Sequence, residues 1–184
     1  MKRLAILVGL VVPAMAWALV KPVRVAALEF ADVRCFGSVC VDVDTRAQEA
    51  AQLLSDAQEH VEKKVGPLRR TPKVIFCASQ ACADYFGLGA RSAVTVGTVA
   101  TVIGPRAWKP YYVRHELLHH AQGDHIGVVP LLFKPGWIVE GMAYGLSEDP
   151  RAPLSEPFET QRREFLAWYA RIDPQRIWTE LAKQ

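Results

Sequence analysis

Four of the five histidines in this chain lie between positions 115 and 125. Their segment opens with His115-Glu116-Leu117-Leu118-His119, the pattern H-E-x-x-H. Side chains four residues apart share one face of a helix, so His115 and His119 can direct ring nitrogens at a single metal ion, with Glu116 beside them. Neutral imidazoles suit zinc, and two helical ligands leave room for a third protein ligand and a water molecule. The pattern therefore predicts a zinc site in which Glu116 takes a proton from that water.

A second segment, Pro-Gly-Trp-Ile-Val-Glu-Gly-Met-Ala at positions 135–143, offers a third ligand. Its Glu140 lies 21 residues beyond His119, and we expect it on the next helix. Gly141 and Ala143 are small enough to let that helix approach the first one closely. A carboxylate on the second helix would complete a ligand set with the two histidines.

Together, H-E-L-L-H at 115–119 and W-I-V-E-G-M-A at 137–143 resemble the gluzincin metallopeptidases, the group of thermolysin and the aminopeptidase N-like enzymes. In that group a Glu on a following helix completes a His2Glu zinc site. The resemblance is confined to these two motifs, and the chain is far shorter than those multidomain enzymes. It implies one zinc ion held by the two histidines and Glu140, and hydrolysis of a peptide or protein substrate with Glu116 as the general base.

His125 is the alternative third ligand. It stands at the position of the last His in H-E-x-x-H-x-x-G-x-x-H, the metzincin pattern. The chain differs from that pattern at position 122, where it has Gln and the pattern has Gly. A glycine, Gly123, comes one position later than the pattern requires. A helix must turn sharply at the Gly of the pattern, and Gln there would need an unusual backbone conformation. We therefore expect Glu140 rather than His125 to complete the site.

The other polar and aromatic residues around these motifs receive simpler interpretations. We expect His120 to face solvent, Asp124 to lie in a loop, and His60 to lie on the surface of the first long helix. Three tyrosines, each one helical turn from a predicted ligand, are interpreted as packing residues, although their hydroxyl groups could donate to an oxyanion: Tyr111, Tyr112 and Tyr144.

The elements that must position these residues form an α+β chain, with a small, mostly antiparallel sheet in the first half followed by helices. Strands are predicted at 23–30, 39–43 and 73–77, and 93–103 forms either a hairpin or one bulged strand. Helices are predicted at 80–86, 111–123, 137–147 and 158–172, and from Thr45, with Gln48 completing a capping box, to Gly66-Pro67. By the resemblance, 93–103 is also the edge strand along which an extended peptide would bind.

The four cysteines form two local pairs, Cys35 with Cys40 and Cys77 with Cys82. We expect a disulfide in each pair, because each short loop closes without long-range geometry. Other pairings stay open, since four cysteines allow three connectivities. A four-cysteine zinc site would instead need C-x2-C spacing and reducing surroundings.

The first eighteen residues predict export. Lys2 and Arg3 precede the uncharged stretch 4–20, which contains the small residues of an A-x-A cleavage site, Ala16-Trp17-Ala18. This is the pattern of a signal peptide, with cleavage expected after Ala18 and a periplasmic or secreted product. The alternative is a retained membrane anchor, for which about 17 residues is the lower limit of length.

Composition leaves a single ordinary domain at 19–184, with 51% hydrophobic and 22% charged residues in the whole chain. The 22 basic residues less Lys2 and Arg3 leave 20, against 19 acidic residues, so the remaining chain has a net charge of +1. That balance gives no reason to expect a nucleic acid or an anionic surface as a partner. Membrane contact is expected only if the N-terminal segment is retained.

Two other functional classes stay open at this stage. The chain could be a non-catalytic zinc-binding envelope protein, which its small size and lack of recognisable specificity elements would suit. Against this, a purely structural zinc site is normally closed by four protein ligands and has no use for a base such as Glu116 beside the metal. The third class is a metal-free α+β domain with a chance motif. Of the three classes, we expect a peptidase.

Overall fold

A five-stranded sheet runs through the computed structural model, which describes residues 21–26 and 28–184. The sheet order is β1-β2-β3-β5-β4. The strands are β1 Arg34–Phe36, β2 Val39–Val41, β3 Val74–Phe76, β4 Ala93–Val96 and β5 Ala100–Ile103. With the helices, this sheet confirms the α+β class.

The sheet is mixed, where mostly antiparallel pairing was expected. β1 pairs with β2 and β4 with β5 in antiparallel fashion, through tight turns. β2 and β3 are parallel, as are β3 and β5. For β2 and β3 the reason lies in the connection, because the helix between them returns the chain to the same end of the sheet. β3 and β5 are parallel for another reason: the chain passes from β3 through a short helix to the edge strand β4, and the turn after β4 reverses its direction. The uncertain run 93–103 is a hairpin, and its first strand, β4, is an edge of the sheet.

Seven α-helices surround the sheet in the described part of the chain. They are α1 Ala47–Val65, α2 Gln80–Tyr85, α3 Pro110–His125, α4 Val128–Leu131, α5 Gly136–Leu146, α6 Phe158–Tyr169 and α7 Ile177–Leu181. The predicted capping box at the start of α1 is absent: a short 3-10 helix, Asp44–Arg46, precedes α1, and no side chain caps either element. The predicted end of α1 is confirmed at Gly66, where φ is 88°.

The strand predicted at 23–30 was wrong. The chain there forms two 3-10 helices, Lys21–Ala26 and Leu28–Phe30. Val25 is buried in the apolar cluster that contains Ile75 and Val102, and Leu28 packs against the same cluster. Apolar residues of this segment therefore contact the core without strand pairing.

Apolar side chains fill both faces of the sheet, as the alternation along each strand requires. Val74 and Phe76 of β3 point into the larger core, which α1, α3, α5 and α6 complete. Ile75 between them points into a smaller core with Phe86 and Val102. The larger core therefore fixes α3 and α5, the two helices with the predicted ligands, against the same sheet face.

Both local disulfides are present, Cys35–Cys40 between β1 and β2 and Cys77–Cys82 between the end of β3 and α2. They indicate an oxidising environment outside the cytoplasm. The predicted signal peptide lies outside the described residues. Across 21–26 and 28–184, no helix combines the length and apolar character that crossing a membrane requires.

Candidate metal centre

The helix α3 carries the two histidines of the first motif. Pro110 occupies its first turn, where the missing N–H of proline costs no helical hydrogen bond. Val113, Leu117 and Ala121 are fully buried on the side of α3 that packs in the core. His115 and His119 lie on another side, facing an open cleft of about 530 Å³.

The three predicted ligands converge in this cleft. The Nε2 atoms of His115 and His119 lie 3.1 Å apart. The Glu140 carboxylate lies 3.6 Å from the first of these nitrogens and 3.7 Å from the second. Nitrogens bound at about 2.0 to 2.1 Å to one tetrahedral ion are themselves about 3.3 Å apart, so the spacing fits a single metal ion. The group His115, His119 and Glu140 can hold such an ion.

Glu140 reaches the histidines because α5 packs beside α3. It lies on a following helix as predicted, although the short helix α4 comes between the two in the chain. The role expected for Gly141 was wrong, since this glycine faces α6 and not α3. A Cβ atom there would lie 2.3 Å from the backbone oxygen of Gln161. Gly141 therefore lets α6 pack closely on α5 and hold the helix that carries Glu140.

Gln122 was missed as a site residue. Its fully buried side chain donates from Nε2 to the backbone oxygens of Ile138 and Val139, at 2.9 Å each. Its Oε1 lies 2.9 Å from Nδ1 of His119 and accepts a hydrogen bond from it. Because Nδ1 then carries the proton, Nε2 of His119 keeps a lone pair directed at the metal position. The signal was its position three residues after His119, on the same helix face.

Glu116 lies beside the ligand group with its side chain buried against β4. Its Oε2 accepts a hydrogen bond of 2.7 Å from the Thr95 hydroxyl group, which is also 3.0 Å from the Glu116 backbone oxygen. Burial raises the pKa of the Glu116 carboxyl, while the proximity of His119 and the Thr95 hydrogen bond act in the opposite direction. Thr95, which the sequence did not single out, thus fixes the carboxylate predicted to be the base.

Two polar residues on the other side of α3 were predicted wrongly. His120 is completely buried and does not face solvent: its Nε2 lies 3.2 Å from the Arg70 backbone oxygen and 3.5 Å from Asp124 Oδ2. Asp124 belongs to the last turn of α3 and not to a loop, and it accepts a 3.0 Å hydrogen bond from the Arg70 backbone N–H. The segment between α1 and β3 covers this side of the helix, which the local sequence does not reveal.

His125 is not part of the ligand group. Its ring stacks on Trp178 with centroids 4.3 Å apart, and its Nε2 lies 3.3 Å from the Pro67 backbone oxygen. The helix continues through Gln122 and Gly123 without the sharp turn that the metzincin pattern needs. Burial lowers the pKa of His125.

His60 was expected at the surface, and only 11% of its side chain is exposed. Its Nε2 lies 2.7 Å from the Leu146 backbone oxygen, so it fastens α1 to the end of α5. Burial lowers its pKa.

Aromatic side chains and one arginine enclose the cleft at the end where α3 begins. The ring of Tyr144 packs 4.4 Å from that of His115. Arg151 lies over the rings of Tyr111, Tyr112 and Tyr144 at 5.0 to 5.9 Å from their centroids. Tyr112 and Tyr144 line the cleft.

Comparison of the chain with protein-family models, curated proteins and solved structures finds no significant match.

Proposed function

We propose that this protein is a zinc-dependent peptidase that acts outside the cytoplasm. One observation carries the proposal: three ligand atoms of His115, His119 and Glu140 converge in an open cleft, next to the buried carboxylate of Glu116. A purely structural zinc site would be closed by four protein ligands, whereas three ligands leave a position for a reactant. The two disulfides support the extracytoplasmic part.

The chemistry divides between the metal and Glu116. A bound zinc ion would polarise the carbonyl group to be cleaved and lower the pKa of a water molecule to near 7. Glu116 accepts the proton of the attacking water and passes it to the leaving amine. The Thr95 hydroxyl holds this carboxylate in place at 2.7 Å.

A peptide substrate is supported by the free edge of the sheet. Thr101 and Ile103 of β5 use their backbone groups to bond the β3 side, through Lys73 and Cys77. Their antiparallel partners on β4 are Thr95 and Ala93. Since such pairs alternate between bonded and non-bonded, Thr95 and Ala93 direct their backbone N–H and C=O groups towards the cleft edge. An extended peptide binds such an edge through backbone hydrogen bonds.

The first experiment is the metal content of the full-length chain, produced in an oxidising compartment, beside those of Glu140→Ala and His125→Ala. We expect one zinc per chain, lost or weakened in Glu140→Ala and kept in His125→Ala. Loss of zinc in His125→Ala alone would indicate a metzincin-type site. Absence of metal from the unmodified chain and from both variants would overturn the proposal.

The second experiment tests hydrolysis. Glu116→Gln should keep the zinc and lower the rate of peptide cleavage by about 10²- to 10⁴-fold, the usual contribution of a positioned acid or base. Unchanged cleavage would contradict the role of Glu116. Zinc binding with no cleavage of any peptide, in the unmodified chain, would favour the non-catalytic zinc protein instead.

A further inference from the structure

The cleft has two chemically different ends. β4 and α3 run in the same direction along it. Thr95 of β4 contacts Glu116, and Gly97 and Thr98, in the turn after β4, lie against Gly123 near the end of α3. The first residues of β4 and α3 therefore lie at one end of the cleft, and their last residues lie at the other end.

Arginine side chains lie at the first end, which we call the arginine end: Arg91 and Arg151. Arg91 precedes β4 by two residues, lines the cleft and is exposed. Its guanidinium donates to the backbone oxygens of Leu88 and Gly87, which hold its stem in place.

Arg151 is fixed more firmly. Its guanidinium is bonded to Asp149, whose side chain is 2% exposed, and it donates to the Tyr112 hydroxyl group at 3.3 Å. A guanidinium has five N–H donors, and these contacts engage the Nε, one Nη1 and one Nη2 hydrogen. The two remaining donors belong to a side chain that lines the cleft and is 43% exposed. Arg151 is thus preorganised to bind a second carboxylate.

Aliphatic side chains form the opposite end, which we call the apolar end: Val128, Leu131, Leu132 and Val139. Val128 packs over Gly97, where a Cβ atom would lie 3.2 Å from its side chain. Leu132 is 76% exposed and Val128 41% exposed. No charged side chain lines the described cleft besides the two arginines and the four residues of the metal centre with its base.

We propose that the cleft selects extended peptides by this polarity: a carboxylate on the C-terminal side of the bond to be cleaved binds Arg91 and Arg151, and an apolar side chain on the N-terminal side binds the apolar end. The inference rests on the proposed peptidase function. Its direction follows from antiparallel pairing, the commoner and slightly more stable arrangement. β4 runs from the arginine end to the apolar end, so an antiparallel peptide places its C-terminal side at the arginines.

The test uses one set of fluorescently labelled peptides with the full-length zinc-loaded protein. All carry Leu before the same bond and differ in the residues after it. The first peptide ends in a free C-terminal carboxylate and the second in an amide. The third and fourth also end in an amide, and carry an internal Asp and an internal Lys, respectively. Binding is measured by anisotropy in Glu116→Gln, where cleavage is slow, and cleavage by mass spectrometry in the unmodified chain. The first and third peptides separate a C-terminal carboxylate from an acidic side chain as its source.

We expect at least one carboxylate peptide to bind about 10-fold more tightly than the amidated and Lys peptides, as for one hydrogen bond to a charged group. Arg91→Glu, combined with Glu116→Gln, should abolish that preference, and Arg151→Gln should weaken it. Arg106→Glu is the matched control, because Arg106 also donates to a carbonyl of the same loop, that of Ala90, but does not line the cleft. It should leave the preference unchanged.

Equal binding of all four peptides would overturn the inference and leave the peptidase proposal standing if they are cleaved. A peptide of reversed order, with the acid before Leu, should bind more weakly than the original, and tighter binding would overturn the assigned direction. Carboxylate-dependent binding without any cleavage would support the polarity and contradict hydrolysis. The two proposals therefore fail separately.

Discussion

The two sides of α3 carry the same kinds of side chain in opposite environments. We call His115, Glu116 and His119 the front of the helix, and His120 and Asp124 the back. The imidazole side chains of the front are 12% and 16% exposed, and their Nε2 atoms meet a third ligand across an open cleft. The side chains of the back have no exposed surface, and their closest polar partner is the backbone of Arg70.

The difference shows that spacing alone does not define a metal site. His120 and Asp124 are four residues apart, as are His115 and His119, and both pairs combine groups that can bind metals. Only the front has a third ligand from another helix and space for a reactant. On the back, the backbone and guanidinium of Arg70 are the partners of His120 and Asp124, which points to a structural role for that pair.

The largest effect should come from removing a front ligand. His115→Ala is expected to lower zinc affinity by more than about 100-fold, the upper figure for loss of an outer partner of a ligand. Competition with a chromophoric chelator measures it, and Glu116→Gln serves as the control that keeps all three ligands. Retention of near-normal affinity in His115→Ala would refute the assignment of the front as the metal centre.

The matching change on the back should affect stability instead. His120→Ala removes a fully buried ring and its contact with the Arg70 backbone oxygen, while Asp124 keeps the Arg70 backbone N–H and guanidinium. We expect unfolding free energy to fall by about 1 to 3 kcal/mol. Urea unfolding of the metal-free protein measures the loss. Zinc affinity of the folded variant should stay within a few-fold of normal, and a drop as large as that of His115→Ala would erase the distinction between the two sides.

Gln122 connects the front to α5, so its loss should lower zinc affinity, but by less than the loss of a ligand does. Gln122→Leu keeps the volume but removes the acceptor for His119 Nδ1 and the donor to Ile138 and Val139. We expect zinc affinity to fall about 10- to 100-fold, as for other outer partners of metal ligands. Gln122→Glu is the informative second variant, since it keeps the acceptor for His119 and loses the donor. If both variants bind zinc normally, Gln122 does not position the ligand.

Most of the helices and the convergence of His115, His119 and Glu140 followed from local sequence, whereas the burial of His120 and the parallel strand pairing did not, for one common reason. The periodicity of 47–65, the proline that opens α3 and the spacing from His119 to Glu140 are local signals, and they predicted these elements correctly. Burial of His120 depends on which distant segment covers it, and the parallel pairing of β2 with β3 depends on the path of the chain around α1. Neither the burial of His120 nor the parallel pairing can be predicted from the few residues around each position.

The smallest effect concerns pH and the histidines away from the front. Burial lowers the pKa values of His60 and His125 in the folded protein from an ordinary value of 6.5. Below about that pH the unfolded chain takes up protons that the folded chain does not. The unfolding free energy should therefore decrease as the pH is lowered. One whole proton of difference corresponds to about 1.4 kcal/mol per pH unit, and each histidine supplies part of that.

His60→Gln combined with His125→Gln should therefore flatten the decline between pH 7 and pH 5, measured by urea unfolding of the metal-free protein. All other side chains are identical in the two proteins, so the difference between the slopes reports on His60 and His125 alone. Gln can still donate to the backbone oxygens of Leu146 and Pro67, which His60 and His125 now approach, so stability at pH 7 should change little. Equal slopes in the two proteins would mean that burial of His60 and His125 does not set the acid sensitivity of the fold, because every other ionisable group is common to both.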